Sequence, residues 1–96
     1  MTLMKNPSHP GDVLKELYLD PLDLGPIALA RRLHVPRTRI ERLVKGETAL
    51  TADTAMRLSK FFGNTPEFWL NLQRAWDLAR ARDTIDVSDI TPLEAA

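Results

Sequence analysis

Apolar residues recur at helical rather than strand spacing along most of this chain, and prolines and glycines cut the pattern into short segments. Val13, Leu14, Leu17 and Tyr18 fall at the i, i+1, i+4, i+5 positions of one helix face. That helix opens with Pro10 at its first position, runs to about Leu19 and is ended by Pro21. Gly25 and Pro26 start a second helix, with Ile27, Ala30 and Leu33 as its inward stripe and a stop near His34. A third opens at Pro36, carries Ile40, Leu43 and Val44 inward, and ends at Gly46, which takes the left-handed cap conformation cheaply. Thr51 caps a fourth helix with Ala55, Leu58, Ser59 and Phe62 on its buried face and Gly63 as its stop. Thr65, Pro66 and Glu67 read as N-cap, first turn and dipole-matched acid of a fifth helix reaching about Arg82. Its main stripe is Trp69, Leu72, Trp76 and Ala79, widened by Phe68 and Ala75. Leu70 and Leu78 fall outside that stripe, either as ordinary exposed leucines or as contacts for a partner. The tail from Asp83 sets Ile85, Val87 and Ile90 among polar residues, and both a packed extended arm and partial disorder stay open.

The expected architecture is all-α: a compact five-helix bundle around a central helix-turn-helix. Ninety-six residues make one domain. We divide it into an N-terminal arm (1–8), a helical domain (9–82) with the helix-turn-helix at 25–46, and a C-terminal tail (83–96), extended or associated with a dimer. The two short helices between Gly25 and Gly46 have the spacing of a helix-turn-helix. Ala30 is small enough for the second helix to cross closely, Val35 plugs the turn, and Ile40 and Leu43 hold the second helix to the domain. So small a core gains from a partner subunit.

Charge sharpens this picture. The formal net charge is zero, but residues 31–45 hold six bases (Arg31, Arg32, Arg37, Arg39, Arg42, Lys45) against Glu41. Residues 77–96 hold five acids against two arginines, and residues 12–23 hold four acids against Lys15. One basic patch on an otherwise acidic body is a solvated helix face or a site for a polyanion. At about 100° per residue, Thr38, Arg42 and Lys45 lie opposite the apolar stripe of the third helix, flanked by Arg39 and Glu41. An α-helix fits the major groove of B-DNA, where arginine can bond guanine O6 and N7 together. Arg37 and Arg42 are the candidate base readers, and Thr38 suits a base or a thymine methyl. Arg39 and Lys45 suit phosphates, and Arg31 and Arg32 either clamp the backbone or are solvated.

Other chemistries find little support. There is no cysteine, and His9 and His34 lack the i, i+4 partner of a helical metal site, so no metal or cofactor is expected. They read as a cap and a turn residue. Ser8, His9 and Asp12 are neighbours on one short stretch and cannot form a triad. Glu16 and Asp20 read as surface charge, Trp69 and Trp76 as core, and no glycine-rich phosphate loop is present. No enzyme is expected. No apolar run nears the ~20 residues of a membrane helix and no signal segment is visible, so a soluble, cytoplasmic protein is expected.

Several runs carry a wider resemblance: His9-Pro10-Gly11-Asp12-Val13-Leu14, Ala28-Leu29-Ala30-Arg31-Arg32-Leu33, Ile40-Glu41-Arg42-Leu43-Val44-Lys45-Gly46 and Leu50-Thr51-Ala52-Asp53-Thr54-Ala55-Met56-Arg57-Leu58. The most distinctive is Pro66-Glu67-Phe68-Trp69-Leu70-Asn71-Leu72-Gln73, followed by Trp76-Asp77-Leu78. From about His9 to Val87 the chain resembles the HigA/VapI-type antitoxins of the Xre (phage-repressor-like) helix-turn-helix family. The resemblance implies a lambda-repressor-like five-helix fold that dimerises and autoregulates a toxin–antitoxin operon. It also implies a HigB-like, mRNA-cleaving toxin as partner, and matches Arg37, Thr38 and Arg42 to the base readers of phage-repressor relatives. A homodimer would read an inverted repeat, with the fifth helix or tail as its interface and the acidic tail or first helix facing a basic toxin. The chain departs from the family pattern at Gly25, Pro26, His34, Pro36 and Lys45. Pro26 replaces a phosphate-holding glutamine, and His34 replaces the turn glycine. The alternatives are a stand-alone regulator without a toxin and a helical interaction module that no longer binds DNA.

Overall fold

His9 folds its imidazole back over the chain that follows it: Nδ1 accepts the Gly11 N–H at 2.9 Å, capping the first helix. The computed structural model describes residues 7–94. Residues 1–6 of the expected N-terminal arm and residues 95–96 of the tail lie outside the described residues. Five helices follow one another, and no helix among the described residues is long and apolar enough to cross a membrane.

Helix α1 (residues 10–22) is continuous but not uniform. It is α-helical over Pro10–Val13, π-helical over Leu14–Leu19 and α-helical again over Asp20–Leu22. The expected stop at Pro21 is therefore wrong, and the expected face holds at Leu14 and Tyr18 but not at Leu17. Leu14 and Leu19 are buried, whereas Leu17 is 66% exposed. Both differences have one cause. A proline inside an α-helix lacks a donor and its ring presses on the carbonyl four residues back. The wider turn ahead of Pro21, closed by the Asp20 N–H on the Lys15 carbonyl, makes room for it. Widening also shifts the register, so residues five apart come to share the buried side. The helix ends at Asp23, which is left-handed at φ 52.

The remaining helices are α2 (Pro26–Leu33), α3 (Arg37–Val44), α4 (Ala52–Phe62) and α5 (Pro66–Thr84). In α2 the expected stripe is corrected. Leu29 is buried with Ala30 and Leu33, while Ile27 is 41% exposed. At 100° per residue Ile27 stands about 160° from Leu29, so one helix cannot bury both against one core. Leu14, Leu19, Leu29, Leu33, Ile40, Leu43, Leu58 and Trp69 meet in the centre. Tyr18 lies 4.7 Å from the Phe62 ring and 5.0 Å from Trp69, joining α1, α4 and α5. Asn64 ties the same corner, accepting from Trp69 Nε1 at 2.8 Å and donating to the Tyr18 hydroxyl at 3.3 Å.

Helix α5 buries Trp69 and Gln73 fully and packs Trp76 edge-on against His9 at 5.1 Å. Leu70, expected off the core stripe, packs on the core, whereas Leu78 is exposed. Beyond Thr84 the described residues of the tail have a turn at 88–89 and no helix or strand. Ile85, Val87 and Ile90 are exposed, so the tail does not pack on its own domain as a buried arm. The molecule measures 55 × 27 × 22 Å.

Candidate nucleic-acid interface

The candidate recognition element is α3, and its seat begins with the turn before it. The Val35 N–H reaches the Ala30 carbonyl at 3.0 Å and the His34 N–H reaches Arg31 at 3.2 Å, closing α2 with a Schellman motif. That motif needs a left-handed residue, and His34 supplies it at φ 60, ψ 45. The departure from glycine is thus accepted, at the steric cost any β-carbon meets there. Pro36 is extended and serves as the N-cap of α3 without a side-chain bond to the helix. At the other end Gly46 is left-handed at φ 75, and the Glu47 N–H bonds the Arg42 carbonyl at 2.9 Å.

Ile40 and Leu43 are fully buried beneath α3. Each contributes about 1.5–3 kcal/mol by leaving water. With that stripe inward, Arg37, Thr38, Arg39, Arg42 and Lys45 are all exposed. Thr38, Arg39 and Arg42 line one shallow groove with Pro36 and with Thr48, Ala49 and Thr51 of the loop that follows. The loop residues add hydroxyl donors beside the helix. Thr51 is the cap the sequence indicates, and Thr48 is not among the sequence-based candidates. The loop itself is fixed from beneath, because buried Gln73 accepts the Leu50 N–H at 2.7 Å and donates to Asp77 at 2.8 Å.

The candidate cations divide into two groups. Arg31, Arg37 and Lys45 are exposed and form no ion pair among the described residues. The other three candidates, and Arg57 with them, have partners. Arg42 stands 3.6 Å from Glu47, and Arg39 pairs with Asp53 at the start of α4. Arg32 places its guanidinium 5.0 Å over the Phe61 ring. Arg57, absent from the sequence-based candidates, donates to the Leu33 carbonyl at 2.9 Å and to Asp53 at 3.0 Å. Asp53 and Arg57 together thus link α2, α3 and α4. The Arg57 and Arg39 guanidiniums hold its carboxyl below the usual aspartate range. All these pairs are exposed and worth little individually, so a phosphate or base edge can displace the acid.

A helix-turn-helix family model matches residues 15–70, more than half of the chain. The chain is 45% identical over 86 residues to virulence-associated protein I of Dichelobacter nodosus, covering 88% of this chain and 80% of that relative. It resembles the solved structure of Pseudomonas aeruginosa antitoxin HigA with the higBA promoter, at 34% identity and a TM-score of 0.83 over 93% of this chain and 100% of that one. This chain belongs to the HigA/VapI-type branch of the Xre helix-turn-helix family. A solved antitoxin GraA in complex with its operator is similar over 99% of both chains, with 34% identity and a TM-score of 0.89.

Within this HigA/VapI-type chain the departures cluster around α2. Gly25 caps α2 through its extended backbone alone, and Pro26 occupies the first turn without an N–H to offer. That end of α2 therefore has no side-chain cap bond. The exposed, unpaired Arg31, Arg37 and Lys45 and the Thr48 hydroxyl are the groups available for contact, whereas the Thr51 hydroxyl is engaged with Thr54.

Proposed function

We propose that this protein is a sequence-specific DNA-binding antitoxin and transcriptional autorepressor of a HigBA-like, type II toxin–antitoxin operon. The observation that carries the reading is the outward face of α3, where Thr38 and Arg42 share an exposed groove with the hydroxyl-bearing loop behind them. It stands on the fold of family members solved with promoter and operator DNA. Membership in this family of regulators is also why we do not read the chain as an enzyme.

In this reading Arg37, Thr38 and Arg42 meet base edges in the major groove. Arg31, Lys45 and, once released from Asp53, Arg39 meet phosphates. Arg32 stays with Phe61 and contributes to the field rather than to a contact. A two-fold homodimer places two α3 helices about 34 Å apart, the pitch of B-DNA, and an inverted repeat matches that symmetry. The toxin partner is a basic HigB-like protein, encoded beside this gene and bound by the acidic surfaces of α1 or the tail.

The test is twofold: repression of a reporter behind the gene's own upstream region, and co-purification with the product of the adjacent gene. Repression together with a complex that silences the neighbour's toxicity supports the full reading. Repression with a harmless neighbour makes the protein a stand-alone regulator. Absence of repression and of binding to upstream DNA contradicts the reading.

A further inference from the structure

On the side of the domain formed by the C-terminal end of α2 and the outer face of α4 lies an open, mostly apolar groove. Leu33 and Phe61 line it, and Met56 projects beside them, 64% exposed. Its borders are mainly cationic: Arg32 over the Phe61 ring, Lys60, which forms no ion pair among the described residues, and Arg57, which is paired with Asp53, the one acid on the same border. An apolar floor between basic borders suits an extended segment that alternates apolar and acidic side chains.

The chain carries such a segment. Residues 83–94 hold Asp83, Asp86, Asp89 and Glu94 with no base. Interleaved with them, Ile85, Val87, Ile90 and Leu93 are 60–94% exposed. Four large apolar side chains in succession without cover are unusual for a folded chain and mark a contact surface. The turn is set locally: the Ser88 N–H bonds Asp86 Oδ1 at 2.9 Å and the Ile90 N–H bonds the Val87 carbonyl at 3.0 Å.

We propose that the groove between α2 and α4 receives the acidic-apolar tail of a second copy of this chain, so that the two protomers exchange arms. This rests on the homodimer proposed above and assigns its interlocking contact. Charge selects the occupant, because the groove is the basic complement of the tail. Reach permits it, because the nine residues 85–93 span up to about 30 Å once the local turn opens on docking. That exceeds the 27 × 22 Å cross-section of the molecule. This groove shares no lining residue with the one lined by Thr38 and Arg42, although the two adjoin where Asp53 pairs with Arg39, so an arm in this place leaves Thr38 and Arg42 uncovered.

The test uses sedimentation equilibrium of the full chain with two complementary variants. One reverses the groove, Arg32→Glu with Lys60→Glu; the other reverses the tail, Asp86→Lys with Asp89→Lys. Each variant alone sets like charges together and weakens self-association by about tenfold or more. An equimolar mixture restores opposite charge in both arms at once, and its dimer forms within about threefold of wild type. Dimers unchanged in either variant, or a mixture no tighter than the variants alone, overturn the arm exchange. A wild-type chain that is monomeric at every concentration yet binds its operator overturns the homodimer itself, which is a separate failure.

Discussion

Gly11 lies so close to the Leu43 carbonyl that a methyl group on its Cα would stand 1.8 Å from that oxygen. The start of α1 is thus pressed against the end of α3, and α3 takes its position partly from a missing side chain. Leu43 offers backbone here, which cannot rotate aside. Gly11→Ala therefore forces the two helices apart and destabilises the fold by about 1–3 kcal/mol. Urea unfolding measures the loss, and operator affinity falls with it because α3 moves.

Gln73 bridges to Leu50 across 23 residues. Gln73→Leu leaves the Leu50 N–H without its acceptor in a buried place, at a cost of about 1–3 kcal/mol. Because the 47–51 loop borders the α3 groove, operator binding weakens beyond what the stability loss explains. Comparing binding at a temperature where both proteins are folded separates the two effects.

The helices themselves are legible in the chain because their ends are written in residue types with one local meaning. Gly46 and Gly63 take left-handed conformations, and Thr51 and Thr65 accept helix N–H groups as read. Face assignment fails where the helix is not regular or two stripes compete. The π turn before Pro21 exchanges Leu17 for Leu19, and α2 buries Leu29 rather than Ile27. The outward face of α3 is legible for the opposite reason, since Ile40 and Leu43 follow a regular period. The partners of that face are not. Asp53 lies 14 residues from Arg39, and Arg57 lies 24 residues from the Leu33 carbonyl it bonds. No local pattern announces a contact that only the packing of three helices creates.

His34 holds a left-handed conformation that glycine would adopt freely. The residue is exposed, so its ring adds little packing. His34→Gly relieves the strain, partly offset by the greater freedom of glycine in the unfolded chain, and raises stability by about 0.5–1 kcal/mol. A rise in urea midpoint with unchanged operator affinity is the expected result.

Asp53 ties pH to stability through Arg57 and Arg39. Its folded pKa is depressed, so its contribution is fully present above the unfolded value of about 3.9 and is lost as pH falls through the folded value. The stability gap between wild type and Asp53→Asn should therefore be constant from pH 7 to about pH 5 and close under stronger acid. Thermal melts across that range measure it. A gap that stays constant into strong acid means that Asp53 is not held by its arginines.

The central claim is that α3 reads sequence through Arg42 while Lys45 holds the backbone. The most direct measurement is fluorescence anisotropy of wild type, Arg42→Ala and Lys45→Ala on the protein's own upstream DNA and on a scrambled duplex, across a salt series. Arg42→Ala should cost about 1–3 kcal/mol on upstream DNA and much less on the scrambled duplex. Lys45→Ala should weaken both about equally and reduce the salt slope by about one. Equal losses on both duplexes for both variants, or no wild-type preference for upstream DNA, would contradict the account.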